Sequence, residues 1–197
     1  MPTQPAAEHE LIHGSPGTRP LRPLTDSVLA ARLAKALSAG DGAAGAHCIH
    51  EMCMRGHFPA HIEAALERLW KQATSTIPDW LPMRYISWLP AAYEVAGRFQ
   101  ATGRSRFNVY LVLLDDSDRR GDPHGVYVGM SQYGPAQRFD QHKAGIRAAG
   151  SVLKRGIEVL TGPTLHLQRI KRREAARIEG ALAEALRDAG LAVQGGH

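Results

Sequence analysis

The sequence predicts an α+β protein: a small mixed or antiparallel three-stranded sheet flanked by helices, in the order β-β-α-β-α, preceded by a mostly helical N-terminal region. Three observations carry this reading. Two short apolar runs rich in strand formers, Val109–Leu114 and Val126–Gly129, follow one another across a polar loop. Ala175, Ile178, Leu182, Ala185, Leu186 and Ala189 recur at helical spacing near the C-terminus. Residues 24–100 show helical spacing punctuated by Gly and Pro.

The elements follow in order. Met1–Pro23 carries five prolines and lacks the apolar core of a signal peptide, so a poorly ordered tail is expected. Val28–Leu37 predicts a first helix, capped by Thr25 or Asp26 and ended by Gly40. A second runs through His47–Arg55 and stops at Gly56; Pro59 opens a third, along which apolar Ile62, Ala65, Leu66, Leu69 and Trp70 follow at helical spacing. Pro78, Pro82 and Pro90 make Ile77–Pro90 a linker or broken turn, and Ala91–Phe99 a further short helix. After Arg106 come the two strands. Next is a helix opened by Pro135 and reaching about Ala149, then a third strand at Gly156–Leu160. The last helix, Lys171–Ala189, ends at Gly190. The division expected is a tail over 1–23, a helical region over 24–103 and an α+β domain over 104–197.

Composition narrows the function classes. The 197 residues are 44% hydrophobic and 22% charged, the balance of a soluble globular protein. No apolar run approaches the roughly 20 residues that span a bilayer, so no membrane partner is expected. Two cysteines, Cys48 and Cys53, provide no disulfide framework and suit a reducing, cytoplasmic setting. Charge is uneven: residues 1–103 hold nine Lys+Arg and nine Asp+Glu, residues 104–197 fifteen and ten. The whole positive excess lies in the second half, which suits a polyanionic partner and equally suits a solvated basic surface.

The same half carries residues with chemistry. Tyr110 and Tyr127, on neighbouring strands, can present two hydroxyls on one side, although two amphipathic tyrosines packing a small core would look the same. A phenol acts as a base only where positive charge or a hydrogen-bonding base favours its ionised form. Arg138 and His142, four apart, share one helical face; the guanidinium fork matches a phosphate, and an imidazole can pass a proton near neutral pH. On the last helix Glu184 points away from the apolar stripe, into solvent. Glu174 and Glu179 lie on opposite shoulders of the stripe, and either can bring a carboxylate to the sheet.

This ordered set resembles the GIY-YIG nuclease superfamily. Asn108-Val109-Tyr110 stands at the first name-giving motif and Val126-Tyr127-Val128-Gly129 at the second; Arg138 and His142 fit the following helix, and Glu179 with Leu182 the later one. The resemblance covers roughly Phe107–His197. It implies a divalent-metal-dependent endonuclease acting on DNA, and it does not exclude RNA. Glu179 would hold Mg²⁺ or Mn²⁺, Arg138 would stabilise phosphoryl charge, Tyr110 or Tyr127 would serve as base, and His142 would assist. The helical half would select the substrate or a protein partner. Asn-Val replaces Gly-Ile in the first motif, and the tail lacks the Asn that many members carry, with Gln194 as its polar residue. The missing Asn favours the alternative, a weak or inactive nuclease-like module that binds nucleic acid. Elsewhere, His47, Cys48, His50, Cys53, His57 and His61 cluster, but their spacing suits zinc poorly; buried cysteines and surface histidines in a helical bundle are expected instead.

Overall fold

A computed structural model describes residues 15–118 and 121–196. The chain forms two compact units, residues 1–90 and 91–197.

The first unit is helical. α1 (Asp26–Ala39) starts where the Thr25 hydroxyl accepts from Val28 N, and it stops at Gly40, whose φ of 68° few other residues tolerate. α2 (Gly42–Met54) starts on Asp41, whose carboxylate accepts from Ala44 N at 3.0 Å. α3 (Pro59–Gln72) opens on the expected proline. α2 is the centre of the unit: every residue from Gly45 to Cys53 is buried. Its approach to α3 is close enough that a Cβ at Gly45 would sit 2.5 Å from Leu69 Cδ1.

A helix buried on all sides takes its polar residues inside with it. His47 and His50 are therefore buried, not on the surface as expected, and pack against the Trp80 ring. The Glu51 carboxylate, 1% exposed, accepts from Arg19 at 2.7 and 3.1 Å and from Arg55 at 2.8 Å. Arg55 also reaches Asp26 and the carbonyls of Leu21 and Leu24. Burial alone would push the Glu51 carboxyl up; the two guanidiniums overcome that and hold it below the usual range. This network and the buried Leu21 side chain tie residues 19–24 to α2. The expected tail thus ends sooner than residue 23: Pro16–Thr18 form a 3₁₀ turn, and residues 1–14 lie outside the described part. Ile77–Pro90 has no helix before Leu89, as its prolines require, yet it is packed, with Leu81 in the core of the unit.

α4 (Leu89–Ala96) spans the division between the units. The second unit is α+β and is built on β1 (Arg104–Asp115), β2 (His124–Ser131), α5 (Pro135–Lys143), α6 (Gly150–Arg155), β3 (Gly156–Leu160), α7 (Arg172–Asp188) and β4 (Val193–Gly195). A 3₁₀ segment, Gly162–Leu167, lies between β3 and α7. The sheet has four strands, in the order β3-β1-β2-β4, which corrects the expected three. β1 pairs antiparallel with β2 and β3, while β4 runs parallel to β2. Three residues with a glycine at φ 82° leave no periodic pattern, so β4 exists only because β2 offers an edge to pair with. The helix expected from Pro135 to Ala149 is also shorter. It ends at Lys143, and a turn through Gly145 and Arg147, both at positive φ, leads to α6.

β1 is central and buried on both faces from Phe107's neighbour Asn108 to Leu114, which is why its apolar run is continuous and not alternating. Tyr110, Val112 and Leu114 form one cluster with Val152 of α6, flanked by Tyr127, Phe139 and Ala149. Leu111 and Leu113 point the other way. α7 packs on β1, β2 and β4 and buries Ala175, Ile178, Leu182 and Leu186. Each fully buried Leu or Ile there contributes about 1.5–3 kcal/mol.

Candidate active site

Register brings the two tyrosines together. Tyr110 of β1 stands opposite Gly129 of β2, and Val112 opposite Tyr127, so both rings lie on one face in diagonal contact, 6.3 Å apart. Gly129 makes room for them. A Cβ there would lie 2.6 Å from Tyr127 Cε1 and 2.8 Å from both Cζ and Oη of Tyr110. Tyr127 also packs beside Gly195, and β4 registers Gln194 with it, which brings the tail to the edge of the site.

α5 carries the next two residues. His142 is 1% exposed; its Nε2 lies 3.0 Å from Tyr110 Oη, and its Nδ1 accepts from Ala149 N at 2.9 Å. Arg138, half-buried, donates to Gln141 Oε1 and to the carbonyls of Ile146 and Arg147. Its positive charge also acts on the Tyr110 phenol. Arg138 therefore grips the turn after α5, in which Arg147 is held at φ 45°, a conformation unfavourable for a residue with a side chain.

The three carboxylates of α7 separate. Glu184 is exposed. Glu174 accepts from Thr102 N at 2.8 Å, Thr102 Oγ1 at 2.7 Å and Gly103 N at 3.2 Å, bonds that hold it below the usual carboxyl range and anchor the entry to β1. Glu179, half-buried, is the one whose charge acts on both tyrosines. Tyr110, Tyr127 and His142 thus form one ring cluster, and the charges of Arg138 and Glu179 act on both phenols.

The electrostatics differ from the expectation for a ready base. Burial, then Tyr127 and Glu179, push the Tyr110 phenol up against the pull of Arg138. Burial and Glu179 push Tyr127 up, opposed by Arg138 and the Tyr110 hydroxyl. Both phenols keep their protons at neutral pH. Burial and the Arg138 charge push His142 down to about 4, so its imidazole is neutral and does not titrate near pH 7 as expected.

Sequence reasoning missed Ala149, Gly129 and Asn108. Asn108 donates to Tyr133 O and accepts from Arg169 N, tying β1 to two loops from the position where the motif has Gly. Of these, Gly129 and Asn108 stood within the two quoted motifs, and Ala149 left no sequence signal. As for a metal, Glu179 offers oxygen ligation alone. No group of three His, Cys, Asp or Glu able to hold a metal is found among the described residues. One carboxylate with waters and phosphate oxygens is a donor set that fits Mg²⁺ or Mn²⁺ and not a closed zinc site. In the first unit the clustered groups are engaged elsewhere: His57 with Asp26, His61 beside Phe58, and Cys48 and Cys53 as buried thiols pushed up to about 11 and 12.

No family model, no curated protein and no solved structure matches this chain. No helix among the described residues is long and apolar enough to cross a membrane.

Proposed function

We propose that this protein is a divalent-metal-dependent endonuclease that hydrolyses DNA phosphodiester bonds. The convergence of two tyrosines, an arginine, a histidine and one partly exposed carboxylate on a small sheet carries this reading. Charge supports the substrate class. The unit from 91 to 197 keeps the whole net excess of the chain. Arg104, Arg106, Arg169, Lys171, Arg172 and Arg173 are all exposed where the start of β1 is bridged to Ile170. Three of these cations sit at the start of α7, the positive end of a helix dipole, where each is unfavourable by about 0.3–1 kcal/mol. A polyanionic partner offsets that cost.

In the hydrolysis, a water attacks phosphorus in line as the bond from phosphorus to the leaving oxygen breaks; the proton the water loses passes to bulk solvent, and the leaving oxygen takes one from it. Arg138 stabilises the charge that gathers on the phosphoryl oxygens, an interaction stronger in the transition state than in the ground state. The tyrosine hydroxyls orient the attacking water and hold protons beside it. Glu179 would hold the cation, which supplies charge stabilisation and removes the carboxylate's upward push on both phenols. Plasmid nicking with and without Mg²⁺ tests the reading: Mg²⁺-dependent conversion of supercoiled to open-circular DNA is expected, and intact plasmid at every metal concentration refutes it.

A second reading, a nuclease-like module that binds nucleic acid without cutting, rests on one observation. Three N–H donors of Arg138 are taken by its own turn. Salt-sensitive DNA binding without nicking would select it.

A further inference from the structure

The hydrogen bonds around His142 have a direction. A backbone N–H only donates, so the 2.9 Å bond from Ala149 N makes His142 Nδ1 an acceptor that carries no proton. An imidazolium donates from both nitrogens, so the same bond excludes the charged ring. The single ring proton is on Nε2, and Nε2–H donates to Tyr110 Oη at 3.0 Å. With Oη accepting from Nε2–H, the phenolic proton of Tyr110 is left to donate onward. The ring that converges with it over Gly129 is that of Tyr127.

We propose that the Ala149 amide sets the polarity of a one-way hydrogen-bond chain, from Ala149 N–H through His142 and Tyr110 to Tyr127, which makes Tyr127 the hydroxyl offered to substrate and His142 and Tyr110 its positioning residues. The substrate clause rests on the endonuclease reading; the polarity does not. Two further features fit. Tyr110 is 1% exposed and Tyr127 half-buried, so only Tyr127 has surface to offer. Arg138 anchors the start of the chain, since it bonds the Ile146 and Arg147 carbonyls of the turn that carries Ala149. It follows that His142 does not draw the proton from Tyr110, because its Nε2 already carries one.

The full chain labelled with ¹⁵N-histidine tests the polarity directly. At pH 7 the His142 ring, assigned by its loss in His142→Gln, is expected to show a protonated Nε2 and an unprotonated Nδ1. A ring protonated at Nδ1, or at both nitrogens, overturns the proposal. Nicking rates at saturating Mg²⁺ and plasmid test the substrate clause. Tyr127→Phe is expected to lose about 10²-fold, the cost of a misplaced reactant, and Tyr110→Phe about tenfold, the worth of one hydrogen bond. His142→Leu is expected to fall with Tyr110→Phe, while His142→Gln, whose amide can accept from Ala149 and donate to Tyr110, recovers most of that loss. Equal losses in the two tyrosine variants overturn the assignment of Tyr127. A wild-type chain that nicks nothing refutes the endonuclease reading, and the labelled spectrum then still decides the direction of the chain.

Discussion

Replacing Gly129 by Ala tests whether the two tyrosines are held where the site needs them. Gly129 has no positive φ, so alanine is sterically permitted by the backbone itself. The obstacle is packing. Its Cβ would meet Tyr127 Cε1 at 2.6 Å and Tyr110 Cζ and Oη at 2.8 Å, so the rings must retreat by about 0.6–0.8 Å to reach ordinary contact. Tyr110 cannot give easily, since it is buried and bonded to His142. Tyr127 is hemmed on its other edge by the backbone at Gly195. Overpacking of this kind costs about 1–3 kcal/mol, and the smaller entropy of an unfolded chain with alanine returns about 0.4–1 kcal/mol. A net destabilisation of about 1–2 kcal/mol is expected, together with a loss of nicking rate. Gly180→Ala is the matched control: it lies inside α7, a Cβ there meets nothing within 4 Å, and a gain of about 0.5–1 kcal/mol is expected. Urea unfolding of both full-length variants, followed by far-UV circular dichroism, reads the two signs. A Gly129→Ala midpoint at or above wild type, or two variants that shift in the same direction, would refute the packing argument.

Glu179→Ala should abolish Mg²⁺-dependent nicking with the circular dichroism spectrum unchanged, whereas the exposed Glu184→Ala should be nearly silent; wild-type nicking by Glu179→Ala ends the metal assignment. Arg138→Ala should lower the rate at saturating DNA more than it weakens binding, and should also loosen the 144–149 turn. An unchanged saturated rate with a raised half-saturation point would reduce Arg138 to a binding contact. Glu51→Gln removes a buried charge bonded to two arginines and should destabilise by about 3 kcal/mol. Because the carboxyl is held below its ordinary value when folded, its contribution is present above the unfolded carboxyl value of about 4.3 and is lost as pH falls through the lower folded one. The gap between wild type and variant should therefore close in acid. Tryptophan emission reads this, since Trp70, Trp80 and Trp88 all lie in residues 1–90.

Elements whose register is set by local periodicity were legible in the sequence. The apolar stripe of α7, the proline at the start of α3 and the run in β1 each determined an element, because a 3.6-residue period, a fixed proline φ and an unbroken run of strand formers each act within one segment. Spacing alone put Arg138 and His142 on one face and Glu184 in solvent. Three things needed the tertiary structure. β4 has no pattern of its own and forms only against the edge of β2. Between Glu174 and Glu179 helical geometry was neutral, and only the fold carried the Thr102–Gly103 backbone to Glu174 and the tyrosines to the field of Glu179. The protonation of the site was beyond any spacing argument, because it depends on burial and on one backbone amide, Ala149, that a turn at positive φ delivers to His142. A side chain's identity is written in the chain, but its solvation and the donor it faces are set by residues distant in sequence, and those two quantities decide what an imidazole or a phenol can do.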